Sequence, residues 1–262
     1  MTINKRVFVS FDNYCPFQCK HCFSYGIKRE KERSTDEIVD SLDGNCFDII
    51  YVSQKNDNFY DPQRGLQLCK KLFDRYKSNL FIITRNVFNA EQLIELDNLK
   101  RALDRQNKKL FIAISLNAIE SIGVSEDTAK VPSPDQRMEF IKALGDRGFE
   151  PILMLRPIFP NSIIPVSECI RVIEKTQESI SCVVASGLGI NNRILQQLGM
   201  KEDDFLYDDN QEYLLGAIDC EIRFVKVCTE LSRIKEKCRL LNIPFFEHSM
   251  PAINYLLEKH VE

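Results

Sequence analysis

The sequence has no apolar run near the roughly 20 residues that a membrane-spanning helix needs. Its first ten residues carry Lys5 and Arg6 and a short apolar run, but no small-residue cleavage site. No signal peptide is read there, and a cytoplasmic protein is expected. There is no excess of positive charge: 35 Lys and Arg stand against 38 Asp and Glu, for a net charge of −3. Binding to nucleic acid by phosphate neutralisation alone is therefore disfavoured, although a local basic patch could survive. Tryptophan is missing altogether. No internal repeat, low-complexity stretch or linker breaks the chain, so one domain is expected. No Gly-x-Gly-x-x-Gly follows the first strand, and a dinucleotide-binding fold has no support. With 44% hydrophobic and 28% charged residues, disorder is excluded as the main state. A length of 262 residues suits one barrel or one large α/β domain.

What is present is an alternation of short apolar runs and amphipathic stretches. Strands are expected at 6–11, 47–53, 80–84, 110–115, 151–155 and 181–185. Helices are expected at 35–42, 62–76, 90–103, 134–145 and 166–178. Ser34 or Thr35 would cap the first helix and Ser133 the fourth, with Pro62 and Pro134 in first turns and Gly148 closing a last turn. Continuous apolar strands suit burial on both faces, and connections long enough for a helix imply parallel pairing with right-handed crossovers. The fold expected is α/β: a partial (β/α)6 TIM-like barrel over 1–186, with its chemistry at the C-terminal strand ends. A mainly helical C-terminal extension over 187–262 packs on the same domain. It would hold helices at 191–198, 221–241 and 251–259 and an edge strand at 243–246.

Ten cysteines in a cytosolic chain point to metal or redox chemistry, not to disulfides. Three of them cluster, in Cys15-Pro16-Phe17-Gln18-Cys19-Lys20-His21-Cys22, directly after the first strand. Three thiols on a tight loop can take three corners of an iron–sulfur cubane and leave the fourth iron open for chemistry. Zinc held by the three thiols and His21 is an alternative, as is a redox pair of Cys19 and Cys22, or chance. Adjacent residues such as His21 and Cys22 rarely point at one metal, and a redox pair would want a thioredoxin-like context.

The Cys-x3-Cys-x2-Cys loop and the strand–helix order to about residue 185 resemble the radical S-adenosylmethionine (SAM) superfamily. The resemblance implies a [4Fe–4S] cluster on Cys15, Cys19 and Cys22, with SAM chelating the open iron. It further implies reductive cleavage of SAM to methionine and a 5′-deoxyadenosyl radical that abstracts hydrogen from a substrate, the cofactor supplying the chemistry. An electron donor such as flavodoxin or ferredoxin would be a partner.

Over roughly 7–165 the chain is similar in pattern to spore photoproduct lyase-like (DNA repair photolyase-like) proteins. Ile83-Thr84-Arg85-Asn86 resembles their Thr-Lys-Ser segment. Ser133-Pro-Asp-Gln-Arg137, the stretch 141–148, Pro157-Ile-Phe-Pro-Asn161 and Asp61-Pro62 fit as well. That likeness nominates a nucleic-acid or nucleotide substrate; a peptide-modifying enzyme is the alternative within the superfamily, and a non-enzymatic zinc protein the alternative outside it. Three features depart from the pattern. Tyr51-Val-Ser-Gln54 stands where many members have Gly-Gly-Glu, His21 precedes the third cysteine, and no hydrogen-donating cysteine ends the second strand.

Strand-end residues are the candidates for SAM. Arg85 could pair with the carboxylate, Ser115 and Asn117 with carboxylate and ribose, and Ser53 with the amino group. Phe23 could pack on adenine or shield the cluster, with Tyr25 the weaker aromatic. Arg156 could line cofactor or substrate. The other seven cysteines, Cys220, Cys228 and Cys238 among them, are read mostly as buried small hydrophobes. Glu202-Asp-Asp204 and Asp208-Asp209 are read as a solvated acidic loop. Ser249 is read as a helix cap beside His248, a weak candidate acid.

Overall fold

A computed structural model describes residues 3, 5–29, 31–53, 56–207 and 222–259. Six strand–helix units run in order: β1 (Arg6–Val9), α1 (Thr35–Asp40), β2 (Ile49–Val52), α2 (Pro62–Tyr76), β3 (Asn79–Thr84), α3 (Ala90–Asp104), β4 (Leu110–Ser115), α4 (Ile122–Ser125), α5 (Pro134–Asp146), β5 (Ile152–Ile158), α6 (Val166–Thr176) and β6 (Cys182–Gly187). The strands pair in chain order, all parallel, and β9 (Phe245–Phe246) adds a seventh beside β6. The sheet stays open between β1 and β9, which makes a partial barrel. Helix starts follow their local signals. Ser34, Asn89 and Ser133 close capping boxes with Glu37, Gln92 and Gln136, and Pro62 and Pro134 occupy first turns.

The strands are apolar on both faces because both are covered. Val9, Ile50, Val52, Ile82, Ile114 and Leu153 face the helices. Tyr51, Phe81, Phe111, Ala113, Met154 and Val184 face the concave side, where they meet Ala252, Ile253, Leu256 and Leu257 of α9 (Ser249–Glu258). The C-terminal helix thus fills part of the lumen. Pairing of β5 with β6 shifts register between Leu155 and Ile158, where Pro157 has no N–H for the ladder.

The C-terminal extension differs from expectation at 189–190, which forms a strand, at the start of the last helix, Ser249, and at 221–241. A single helix over 221–241 is replaced by β8 (Arg223–Phe224) and a shorter α8 (Cys228–Leu240). β8 pairs antiparallel with β7 (Gly189–Ile190), ahead of α7 (Asn192–Leu198). The run Ile222-Arg-Phe-Val225 is rich in β-branched and aromatic residues, as strands are, and its partner lies far back in sequence, beyond reach of a local pattern. His248, not Ser249, is the cap position of α9, and its side chain makes no capping bond. Among the scattered cysteines Cys69, Cys169, Cys182 and Cys238 are buried, but Cys46 and Cys228 are exposed. Asp208, Asp209, Cys220 and the start of the expected 221–241 helix lie outside the described residues, as does Gln54. Among the described residues no helix is long and apolar enough to cross a membrane.

Candidate active site

The cysteine loop leaves the C-terminal end of β1 and is fixed there by buried amides. Phe11 N–H donates to Asn58 Oδ1 at 3.2 Å, and Asn58 Nδ2 donates to the Val9 carbonyl at 3.1 Å. Asn56 Nδ2 reaches the carbonyls of Asp12 and Tyr14 at 3.1 and 3.2 Å. Inside the loop Gln18 takes φ +46°, and Cys22 N–H donates to the Cys19 carbonyl at 2.9 Å. The turn brings Cys15 and Cys19, both buried, and half-buried Cys22 into one patch with Phe17, Val131 and Tyr60. From the far side, the Ser125 carbonyl accepts Lys20 N–H at 2.9 Å and lies 3.1 Å from His21 Nδ1.

Behind the thiols lies a buried charge network. Arg85 Nε donates to Glu126 Oε1 at 3.0 Å, and its Nη2 lies 3.2 Å from His21 Nε2. Arg137 Nη1 and Nη2 reach the two oxygens of Glu126 at 3.2 and 2.7 Å, and Nη1 also donates to the Ser115 carbonyl at 2.8 Å. Side-chain exposure is 2% at Glu126 and 1% at Arg137, so neither charge is solvated and each depends on the other. Asp57 Oδ2 accepts Arg85 N–H at 2.7 Å and the Thr84 hydroxyl at 2.9 Å. These contacts tie β3, the α4 region and the cysteine loop into one unit.

The titration behaviour follows from this packing. Burial, with Asp57 nearby, pushes the Cys15 thiol up to about 11. Burial pushes Cys19 up to about 12, against the pull of Arg85. Burial and then Arg85 hold His21 down at about 3, so its ring is neutral. Burial raises Asp57 to about 6. Burial opposes the charges of Glu126 and Arg85, but Arg137 and Arg85 outweigh it at Glu126, which stays below the usual carboxylate range. Cys19 and Glu126 outweigh it at Arg85.

The donor set fits a cubane better than a single zinc ion. Both ring nitrogens of His21 are engaged, one by Ser125 and one by Arg85. Among the described residues no three His, Cys, Asp or Glu side chains converge on one ion. A cubane takes its thiolates at separate irons, and three thiols around one apolar patch meet that need.

The remaining sequence candidates all lie at the rim or on the concave side. Ser53 ends β2 with φ +94°, buried, its Oγ accepting Asn58 N–H at 2.9 Å. Ser115 and Asn117 are buried at the end of β4; the Asn117 amide donates to the Pro157 carbonyl at 2.8 Å and so bridges to β5. The Phe23 ring lies against Gly189, and its carbonyl accepts from Arg193. Arg156 donates to the Glu247 carbonyl ahead of α9. Arg85 is committed to Glu126 and His21 rather than standing free. A cavity of about 190 Å³ opens beside the loop, lined by Lys20, Tyr25, Glu126 and Asp127 among others.

Asp57, Asn58, Glu126 and His21's ring contacts are absent from the sequence candidates. Arg137 carried one signal, its place in the Ser133–Arg137 stretch of photolyase-like pattern. Asp57 meets Arg85 across 28 residues of chain, Glu126 meets Arg85 across 41, Asn58 meets Phe11 across 47 and His21 meets Ser125 across 104, and no local spacing marks them.

No family model matches the sequence, and no curated protein matches it. Solved structures do match in fold. Streptococcus suis SuiB bound to S-adenosylmethionine superposes with a TM-score of 0.60 at 12% identity, over 93% of this chain and 50% of that one. Methylornithine synthase (PylB) gives 0.52 at 16% identity, over 71% and 54%. An anSMEcpe structure with bound AdoMet and a Kp18Cys peptide gives 0.59 at 9% identity, over 92% and 63%. The chain spans about half the length of the first two and less than two thirds of the third. These neighbours are radical SAM enzymes, and the likeness is one of fold. The partial (β/α)6 barrel expected from the sequence is the barrel they share.

Proposed function

We propose that this chain is a radical SAM enzyme, with Cys15, Cys19 and Cys22 holding a [4Fe–4S] cluster and the strand ends holding SAM. One observation carries the reading. The three thiols share one patch at the C-terminal end of β1, backed by a half-buried arginine, in a fold like that of structures solved with SAM bound. Cluster and SAM together would supply reductive cleavage of SAM and hydrogen abstraction from the substrate.

The chain's own residues have separable tasks. Arg85 brings a fixed positive charge to Cys19 and Cys22, which offsets the negative charge of thiolate ligands in a water-poor site. Glu126 and Arg137 hold Arg85 in that position. Ser53, Ser115 and Asn117 offer hydroxyl and amide groups to SAM at the ends of β2 and β4, and Phe23 screens the loop from water. Flavodoxin or ferredoxin is the class of electron donor this chemistry uses. Within the class, the photolyase-like pattern nominates a nucleotide or nucleic-acid substrate, and the peptide in the anSMEcpe structure keeps a peptide as the second reading.

Anaerobic purification with iron, sulfide and zinc analysis tests the proposal. About four irons with acid-labile sulfide, and slow 5′-deoxyadenosine formation from SAM under strong reductant, are expected. One zinc per chain, or a fully loaded cluster that binds no SAM, would overturn it.

A further inference from the structure

His21 sits inside the cysteine loop, between Cys19 and Cys22, and is buried. Its neighbour Lys20 docks the loop on the end of α4. Lys20 N–H donates to the Ser125 carbonyl at 2.9 Å, and Lys20 Nζ donates to the Gly123 carbonyl at 2.8 Å. The imidazole adds its own contact, with Nδ1 3.1 Å from the same Ser125 carbonyl. Phe159 packs edge-on against the ring, its centroid 6.2 Å away. The ring has little freedom to turn.

Its partners assign its tautomer. A carbonyl only accepts, so Nδ1 carries the hydrogen that Ser125 receives. A guanidinium only donates, so Arg85 Nη2, 3.2 Å away, points an N–H at a lone pair on Nε2. A hydrogen on Nε2 would meet that N–H head-on. The neutral ring with a bare Nε2 is the one form that satisfies both neighbours. Arg85 is thereby held at two places. Glu126 takes Nε at 3.0 Å, and His21 takes Nη2. A half-buried guanidinium gripped at Nε alone can swing its Nη end toward water. Gripped twice, its plane is fixed. The second grip comes from the cysteine loop itself. It keeps positive charge beside Cys19 and Cys22, the two thiols on which Arg85 acts.

We propose that His21 is a positioning residue for the counter-charge of the cluster: its Nε2 holds the Arg85 guanidinium toward Cys19 and Cys22, and so sets the cluster's reduction potential. A cation close to thiolate ligands favours the state with one more electron, so a guanidinium let go leaves the cluster harder to reduce. Phenylalanine at position 21 would keep a ring against Phe159 but offers no lone pair. The inference rests on the [4Fe–4S] reading of the three cysteines and adds the residue that aims Arg85.

Redox titration of the anaerobically reconstituted protein, read by electron paramagnetic resonance, tests it. The variants are His21→Phe, His21→Gln, Arg85→Gln, and His21→Phe combined with Arg85→Gln. His21→Phe should lower the ratio of reduced to oxidised cluster at a fixed potential by about threefold or more, which is about 28 mV at 59 mV per tenfold. His21→Gln, whose amide oxygen can accept from Arg85, should recover about half of that shift or more. In the Arg85→Gln background His21→Phe should add nothing, because the charge it releases is already gone. Nitrogen NMR on the histidine-labelled, metal-free protein reads the ring without a cluster, and Nε2 of His21 should be the unprotonated nitrogen at neutral pH. A potential unmoved by His21→Phe, or moved as far when Arg85 is absent, overturns the proposal. So does a hydrogen found on Nε2, which decides the matter even where His21→Phe takes up no iron. A wild type that takes up zinc in place of iron and sulfide brings down the radical SAM reading and this inference with it. A full cluster whose potential ignores His21→Phe brings down the inference alone.

Discussion

Arg85, just past the end of β3 and half-buried, and Glu126, just past α4 and nearly sealed from water, meet at 3.0 Å. Glu126 shares its carboxylate with Arg137, which is buried as deeply. The carboxylate is thus the centre of two ion pairs and not an accessory to one.

Glu126→Gln follows as the first prediction. The variant keeps the shape but leaves two guanidiniums facing an amide, and Arg137 has almost no water to turn to. Breaking a buried pair from one side costs about 3–5 kcal/mol. Urea unfolding of the metal-free protein should register a loss of that order. A loss under about 0.5 kcal/mol, the range of ordinary surface changes, would mean the pair is not buried in solution.

Arg85 itself separates two roles. As counter-charge to the cysteine ligands, its removal in Arg85→Gln should lower iron occupancy on reconstitution. It should also make the reduction potential more negative by roughly 20–60 mV, since 59 mV is tenfold for one electron. SAM affinity of the loaded fraction should then change less than about threefold. A potential unchanged while SAM affinity falls ten- to a hundredfold, about 1.4–2.8 kcal/mol, would instead assign Arg85 to the SAM carboxylate. Redox titration followed by electron paramagnetic resonance, with calorimetry for SAM, reads both.

The sequence carried the barrel because its local and global signals agree. Leu80-Phe-Ile-Ile-Thr84 and Leu110-Phe-Ile-Ala-Ile-Ser115 are apolar on both sides and are covered on both sides. The helices that follow them, α3 and α5, have caps that local residues supply. Agreement failed at 221–241, where a charged stretch of helical composition gives its first residues to pairing with Gly189 and Ile190. At the site, the cluster of thiols was legible because three of them sit within one short loop. Their surroundings were not. Arg85 looked like a free cation at a strand end, and only the fold brings Glu126 to it. Asn58 carries no mark in the sequence, yet it is fully buried and bonds both Val9 and Phe11.

Glu168 offers a prediction far from the thiols. It lies on α6, and its Oε2 accepts the N–H groups of Ile119, Glu120 and Ser121 at 2.9, 2.8 and 3.0 Å, while the Ser121 hydroxyl donates to Oε1. The turn after β4, which leads from Asn117 toward Glu126, hangs on this carboxylate. Burial opposes its charge, but these donors outweigh it and hold the carboxyl below the usual range. A folded pKa below the unfolded one means that the stabilisation is present above about pH 4.3 and is lost as pH falls through the folded value. Glu168→Gln should therefore cost about 1.5–3 kcal/mol at pH 7. The gap between wild type and variant should narrow in acid. Urea titrations at neutral and acid pH measure it, and a gap that widens in acid would contradict the assignment.

The last prediction concerns the lumen. Leu256 is fully buried where α9 meets the concave faces of the strands, in the same cluster as Phe81, Phe111 and Met154. Leu256→Ala removes three carbons from a site whose walls are strands paired on both sides and cannot close in. Such rigid surroundings hold the cavity open, and the cost is about 2–5 kcal/mol. The same change at Leu240, which is 61% exposed on α8, should cost less than about 0.5 kcal/mol. Urea unfolding compares the two variants. Equal, small losses of stability in both would mean that α9 is a surface helix and does not fill the lumen.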